Sequence, residues 1–245
     1  MTLPRAIYLQ EWERNASVVF ALGSSIVETA VPTCGDWDGH ELLDHLRKVY
    51  ERAERRIGTD RDPEFEFASS APEHATALLI QAFSSLHETL EELPDSYPAW
   101  NWTGRDQTVG FLIRRMAHET SIHALDAALA AGEIEFDAFF DPAFARDGID
   151  EFFTLVQARR GARKAVTQES WSLHLHATDI ESCEWLVDFT PESMTARPGH
   201  AKADIALRGS ASAIYGWVWN RVPDSALEVH GRAELAQRWR DEVSI

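Results

Sequence analysis

The sequence predicts two domains, an all-α four-helix bundle followed by a small α+β domain. A chain of 245 residues has room for one large or two modest domains. Apolar residues recur at helical spacing in the first part and alternate as in strands in the second. The acidic excess is also confined to one part, with a net charge of −16 over residues 1–155 and −1 over residues 156–245. We expect a bundle at 1–155 and an α+β domain at 165–245, joined by the basic segment 159–164.

Four amphipathic segments make up the predicted bundle. They run from about Pro4 to Thr29, from Asp38 past Ala53, from Ser70 to Pro94, and from Asp106 to Gly132. Asp38 and Glu41 have the spacing of a capping box, and Gly132 is a plausible C-terminal cap. Four such helices joined by loops are typical of a four-helix bundle.

The second part contains short strand-like runs separated by helical ones. The predicted strands are Trp171 to Ala177, Cys183 to Phe189, Ala203 to Leu207 and Ala226 to Val229, and the predicted helices are Ser210 to Asn220 and Arg232 to Glu242. This mixture indicates a small α+β domain.

Composition excludes several classes of function. The net charge of −17 argues against binding to nucleic acid or anionic membranes, since phosphate binding needs a surplus of Lys and Arg. No apolar run approaches the ~18 residues of a membrane span, and the N-terminus lacks the pattern of a signal peptide. Cys34 and Cys183 form no CxxC pair, so we expect reduced thiols and a cytoplasmic protein.

Three residues in the predicted bundle have the spacing of a metal site. His45 falls on or beside the buried stripe of the second helix, while Glu119 and His123 lie four residues apart on the fourth. Their side chains differ by only ~40° around the helix axis, and bundle cores build metal sites from facing helices. The pattern also fits a buried histidine and a local ion pair between Glu119 and Arg115.

His118 is not expected to join this set. It lies five residues from His123, which places the two side chains ~140° apart on a helix and rules out the zinc-protease spacing HExxH. We expect His118 behind the ligands or at the surface.

These residues occur within stretches that resemble the mycothiol-dependent maleylpyruvate isomerase family. Residues 31–46 (VPTCGDWDGHELLDHL) and 114–127 (RRMAHETSIHALDA) are similar to two of its motifs. The C-terminal half adds HATD at 176–179, RGSASAI at 208–214, and WVWNR before LEVHG. The resemblance implies a DinB-like metal-binding bundle and a C-terminal domain similar to sterol-carrier-like folds.

The resemblance also implies a ligand set and a thiol cofactor. His45, Glu119 and His123 correspond to the family's metal ligands, and two His with one Glu suit Zn, Ni, Fe or Mn, with Zn expected. A divalent ion with an open position favours thiolate over thiol, so the expected activity is mycothiol-dependent isomerisation or S-transfer through a metal-activated thiolate.

Two arginines are candidate catalytic cations for a carboxylate-bearing small-molecule substrate. By resemblance Arg221 is the C-terminal candidate, although a cation at a helix end is also favoured by the helix dipole. Arg115 either helps to supply positive charge for the substrate or only orients Glu119. Two other functions remain open: a metal-dependent hydrolase with metal-activated water, and a non-catalytic small-molecule binding protein.

Two further features are interpreted as structural. His174 and His176 alternate with leucines and share one strand face, but no third ligand of suitable spacing follows in the sequence, so we expect a solvated face. Cys34 is a possible protein thiol, and we assign it to packing.

Overall fold

The structure, a computed structural model, describes residues 2–132, 135–160 and 169–243. They form two compact units, Thr2–Ile134 and Glu135–Ile245. The N-terminal unit is a helical bundle and the C-terminal unit combines a mixed sheet with helices. The predicted fold class is therefore confirmed. Among the described residues, no helix is both long and apolar enough to cross a membrane.

The N-terminal unit contains the four predicted helices. They are α1 (Arg5–Ile26), α2 (Gly39–Arg56), α3 (Ala75–Glu92) and α4 (Val109–Ala130). The predicted capping box is present, because Asp38 accepts a hydrogen bond from the Glu41 backbone N–H while the Glu41 side chain accepts one from the Asp38 backbone. α4 is buried on almost every side, as expected for the central helix of a bundle.

An aromatic cluster joins all four helices in the core. Trp12 of α1 donates a hydrogen bond to the hydroxyl of Tyr50 on α2 at 3.3 Å, and that hydroxyl lies 2.6 Å from the Thr120 hydroxyl on α4. Phe83 of α3 packs edge-to-face against both Trp12 and Tyr50. The cluster therefore fixes α2 and α4, which carry the candidate ligands, relative to the other two helices.

The turn between α1 and α2 requires a glycine. A Cβ atom at Gly39 would lie 2.0 Å from the carbonyl oxygen of Ile26, so only glycine permits this close approach. The Gly39 backbone N–H donates to the Thr29 carbonyl oxygen at 2.9 Å. Residues 30–38 are thereby closed into a compact loop at one end of the bundle.

A buried ion-pair network anchors α2 near the candidate site. The Arg47 guanidinium donates to Asp44 at 2.8 Å, to Glu51 at 2.6 Å and to the carbonyl oxygen of Ala68 at 2.6 Å. Burial alone would raise the pKa of Asp44, but hydrogen bonds from Lys48, Arg47 and Ser70 lower it well below its usual range. The network ties the segment before α3 to the helix turn that carries His45.

The C-terminal unit contains a five-stranded mixed sheet. Its strands are β1 (Trp171–Ala177), β2 (Glu184–Phe189), β3 (Met194–Pro198), β4 (Ile205–Gly209) and β5 (Glu228–Gly231), arranged in the order β3-β2-β1-β4-β5. β1 pairs with β4 in parallel, and the other neighbouring pairs among these strands are antiparallel. The helices are α5 (Pro142–Arg160), α6 (Ala211–Val218) and α7 (Glu234–Glu242).

One strand and one long helix of this unit are absent from the sequence prediction. One is β3, a five-residue strand at the sheet edge without clear alternation of apolar residues. The other is α5, whose buried Phe152 packs its ring 5.1 Å from that of Trp219 and 5.8 Å from that of Trp239. The compact units consequently divide at residues 134 and 135, whereas the predicted first domain, 1–155, includes most of α5. Of the predicted linker, 159–160 end α5 and 161–164 lie outside the described residues.

Candidate metal centre

His45, Glu119 and His123 come together between α2 and α4. One Glu119 oxygen, Oε1, lies 3.2 Å from His45 Nε2 and 3.5 Å from His123 Nε2. The two imidazole rings are 4.8 Å apart, and the three donor atoms all lie within 4.8 Å of one another. Ligands about 2.0–2.2 Å from one tetrahedral ion are separated by roughly 3.3–3.5 Å. The observed spacing would allow all three donors to bind one ion.

Asp126 determines which nitrogen of His123 faces the other two donors. Its carboxylate is completely buried and accepts a hydrogen bond from His123 Nδ1 at 2.9 Å. With the proton on Nδ1, the neutral ring presents the lone pair of Nε2 toward Glu119 and His45. A carboxylate behind a histidine is a common arrangement around protein-bound metals.

Arg115 orients Glu119 from the previous turn of α4. Its guanidinium donates to Glu119 Oε2, the oxygen that does not face the histidines. The ion pair leaves Oε1 directed toward the two imidazoles. Arg115 also places a positive charge beside the carboxylate in a largely buried position.

The loop between α1 and α2 covers the outer side of this group. The Thr33 hydroxyl donates to Asp126 Oδ1 at 2.5 Å, and the Cys34 thiol donates to Asp126 Oδ2 at 3.3 Å. The Trp37 ring packs 4.9 Å from the His45 ring and stacks 6.4 Å from that of His123. An apolar cluster that includes Ile26, Val31 and Leu42 packs beneath the loop.

The electrostatic environment keeps His45 neutral. Burial, together with the nearby His123 and Arg115, lowers the pKa of His45 to about 3. A neutral imidazole is the form that binds a metal, because protonation would occupy the lone pair of the nitrogen. The site consequently combines the neutral imidazole of His45 with the His123 nitrogen and one carboxylate oxygen.

The structure places the other predicted residues as follows. His118 is fully buried with its ring against that of Tyr8, so the surface alternative is wrong, and it does not join the three donors. Cys34 packs in the apolar cluster as predicted. Its hydrogen bond to Asp126 was missed, as was that of Thr33, because neither has a spacing signal in the sequence.

Arg221 lies in the C-terminal unit, just beyond the end of α6. Its guanidinium donates to the carbonyl oxygen of Trp219 at 2.6 Å, and its backbone N–H donates to that of Gly216 at 2.9 Å. The side chain is partly exposed. These contacts suit a helix-end cation, and a role toward substrate stays a prediction.

Comparison with known proteins identifies relatives of both units. A family model described as the mycothiol maleylpyruvate isomerase N-terminal domain matches residues 8–128, and one described as the MDMPI C-terminal domain matches residues 143–238. A search of curated proteins finds no significant match.

Two solved structures share the fold. One is described as the crystal structure of the mycothiol-dependent maleylpyruvate isomerase, at 15% identity and a TM-score of 0.64. The other is a histidine-to-alanine mutant under the same name, at 14% identity and a TM-score of 0.65. Each match covers 94% of this chain and 95% of the other. Because the two family models together span most of the sequence, the chain belongs to the mycothiol-dependent maleylpyruvate isomerase family.

Proposed function

We propose that this protein is a metal-dependent enzyme that uses mycothiol for isomerisation or S-transfer. The observation that carries the proposal is the convergence of His45, Glu119 and His123 from two facing helices. Family membership supports the thiol, because the family is named for its dependence on mycothiol.

The donor chemistry fits a divalent transition metal. Two imidazole nitrogens and one carboxylate oxygen suit Zn²⁺ and leave a tetrahedral ion with one further position. A bound divalent ion would supply positive charge that stabilises the thiolate form of mycothiol, whose free thiol has a pKa near ~8.5. Glu119 would partly neutralise that charge, and Asp126 would keep His123 in the ligating tautomer.

The two arginines have different proposed roles. Arg115 is a positioning residue, since its guanidinium holds Glu119 from the side away from the histidines. Arg221 would pair with a carboxylate of the small-molecule substrate, for which a guanidinium offers two parallel hydrogen bonds. An anionic substrate needs such a cation in a protein with net charge −17.

The first prediction concerns metal content. Replacing His45 or His123 with Ala should lower the metal content of the protein by one equivalent, because each removes one of the three donors at this site. Elemental analysis of the purified full-length protein measures this. His40→Ala serves as a matched control, since His40 lies on the same helix and contacts Ser70 instead.

His118→Ala is a second control for the choice of histidine. It should retain the metal because its buried ring faces Tyr8, provided that circular dichroism shows a native helix content. Full occupancy in His45→Ala, or equal loss in His118→Ala, would contradict the ligand assignment.

The second prediction concerns the thiol. Mycothiol at ~100 times its dissociation constant should stabilise the metal-loaded protein by about 2.7 kcal/mol in thermal unfolding. The metal-free protein and His45→Ala should show no such response, and neither should wild type with S-methylated mycothiol. With maleylpyruvate as the test substrate, isomerisation should require both metal and thiol. Thiol-independent hydrolysis of a substrate would instead favour a hydrolase.

The third prediction concerns Arg221. Loss of a charge-assisted hydrogen bond costs about 1.5–3 kcal/mol, so Arg221→Ala should lower turnover of a carboxylate substrate about tenfold to hundredfold. Metal content and thiol-induced stabilisation should not change. Lysine should restore only part of the activity because it lacks the planar fork.

Arg240→Ala is the matched control for this experiment. Arg240 also donates to a backbone carbonyl oxygen in the C-terminal unit, that of Val222, at 3.1 Å. Its replacement should leave turnover unchanged. Wild-type turnover in Arg221→Ala would assign Arg221 to the helix end alone.

A further inference from the structure

Three histidines and a glutamate converge on one face of the C-terminal sheet. His174 and His176 lie two residues apart on β1, which places both side chains on the same face. Glu184, the first residue of β2, is directly paired with His176 across the antiparallel ladder. His200 lies two residues beyond the end of β3.

All three rings contact the same carboxylate oxygen. Glu184 Oε2 lies 2.7 Å from His174 Nε2, 3.3 Å from His176 Nδ1 and 2.6 Å from His200 Nδ1. The four donor atoms lie within 4.8 Å of one another. The His176 distance equals the ~3.3 Å separation of ligands around a tetrahedral zinc ion, whereas the 2.7 and 2.6 Å contacts of His174 and His200 are hydrogen bonds that a bound ion would replace.

The expectation of a solvated strand face is wrong for His174. This residue is only 6% exposed, whereas the His200 side chain is 73% exposed.

The backbone holds the most exposed donor close to the others. The Gly199 N–H donates to the Glu184 carbonyl oxygen at 3.1 Å, which fixes the chain immediately before His200. His200 therefore approaches from a different chain segment than the two β1 histidines. An ion bound by all four residues would link β1, β2 and the segment that follows β3.

We propose that His174, His176, Glu184 and His200 form a second metal site, for a divalent transition metal of the zinc class. Imidazole nitrogens favour such ions over Ca²⁺ and Mg²⁺, which prefer oxygen ligands. Four protein donors fill a tetrahedral coordination sphere, as in structural zinc sites. The site stabilises the edge of the sheet and takes no part in the chemistry proposed for the helical bundle.

Zinc titration of the stripped full-length protein tests this site. In the His45→Ala background, which disables the first candidate centre, one equivalent of Zn²⁺ should still bind. Adding His200→Ala should weaken that binding at least tenfold, because even residues behind a ligand contribute ~10–100-fold to affinity. Since His200 is exposed and lies outside the strands, its removal should not impair folding. Glu184→Gln, which preserves side-chain size, should weaken binding similarly.

His230→Ala is the matched control in the same background. His230 is an exposed imidazole on β5 that lies 3.6 Å from Glu228 and outside the four-residue group. Its removal should leave zinc affinity unchanged. Failure of His45→Ala to bind zinc, or equal affinities in the His200→Ala and His230→Ala proteins, would overturn the second site.

Zinc titration of the single variants His45→Ala and His200→Ala, each compared with wild type, tests the two centres separately. If only the first centre is incorrect, His200→Ala still lowers zinc binding and His45→Ala does not. If only the second is incorrect, His45→Ala removes all tightly bound zinc.

Discussion

The buried hydrogen bond between Asp126 and His123 is the interaction on which the candidate metal centre depends. It selects the tautomer that directs His123 Nε2 toward Glu119 and His45. Asp126 also accepts hydrogen bonds from Thr33 and Cys34, so the same carboxylate attaches the loop between α1 and α2 to α4. Ligand orientation and loop position are thus set by one fully buried side chain.

The carboxylates of Asp126 and Glu119 both have partners close by. Glu119 is paired with Arg115 on one side and faces two imidazoles on the other. Removing Arg115 would free Glu119 to rotate, whereas removing Asp126 would free His123. The divalent ion that we propose for this site would add positive charge beside Asp126 and Glu119 without protonating the histidines.

The sequence was sufficient to predict features that depend on local spacing. Helical periodicity located the four bundle helices, and the i, i+4 spacing of Glu119 and His123 predicted their common direction. Distant contacts that neither helical spacing nor the family resemblance indicated were not predictable. Thr33 lies 93 residues from Asp126, and nothing in its surroundings indicates that contact.

In the C-terminal unit, too, contacts between distant residues were not predicted from the sequence. The β1 histidines were recognised as sharing a face, but Glu184 joins them only through the β1–β2 register. His200 joins them only because a short edge strand, β3, returns the chain to that end of the sheet. The missed strand and the missed cluster therefore have one cause, which is strand pairing that a single sequence does not specify.

The most direct test of the account is whether sulfur binds the metal at His45, Glu119 and His123. Cobalt-substituted protein titrated with mycothiol should develop a sulfur-to-cobalt charge-transfer absorption in the near ultraviolet. The absorption should be lost in His45→Ala and retained in His200→Ala. Saturating mycothiol without any such absorption in the cobalt-loaded wild type would contradict a metal-bound thiolate.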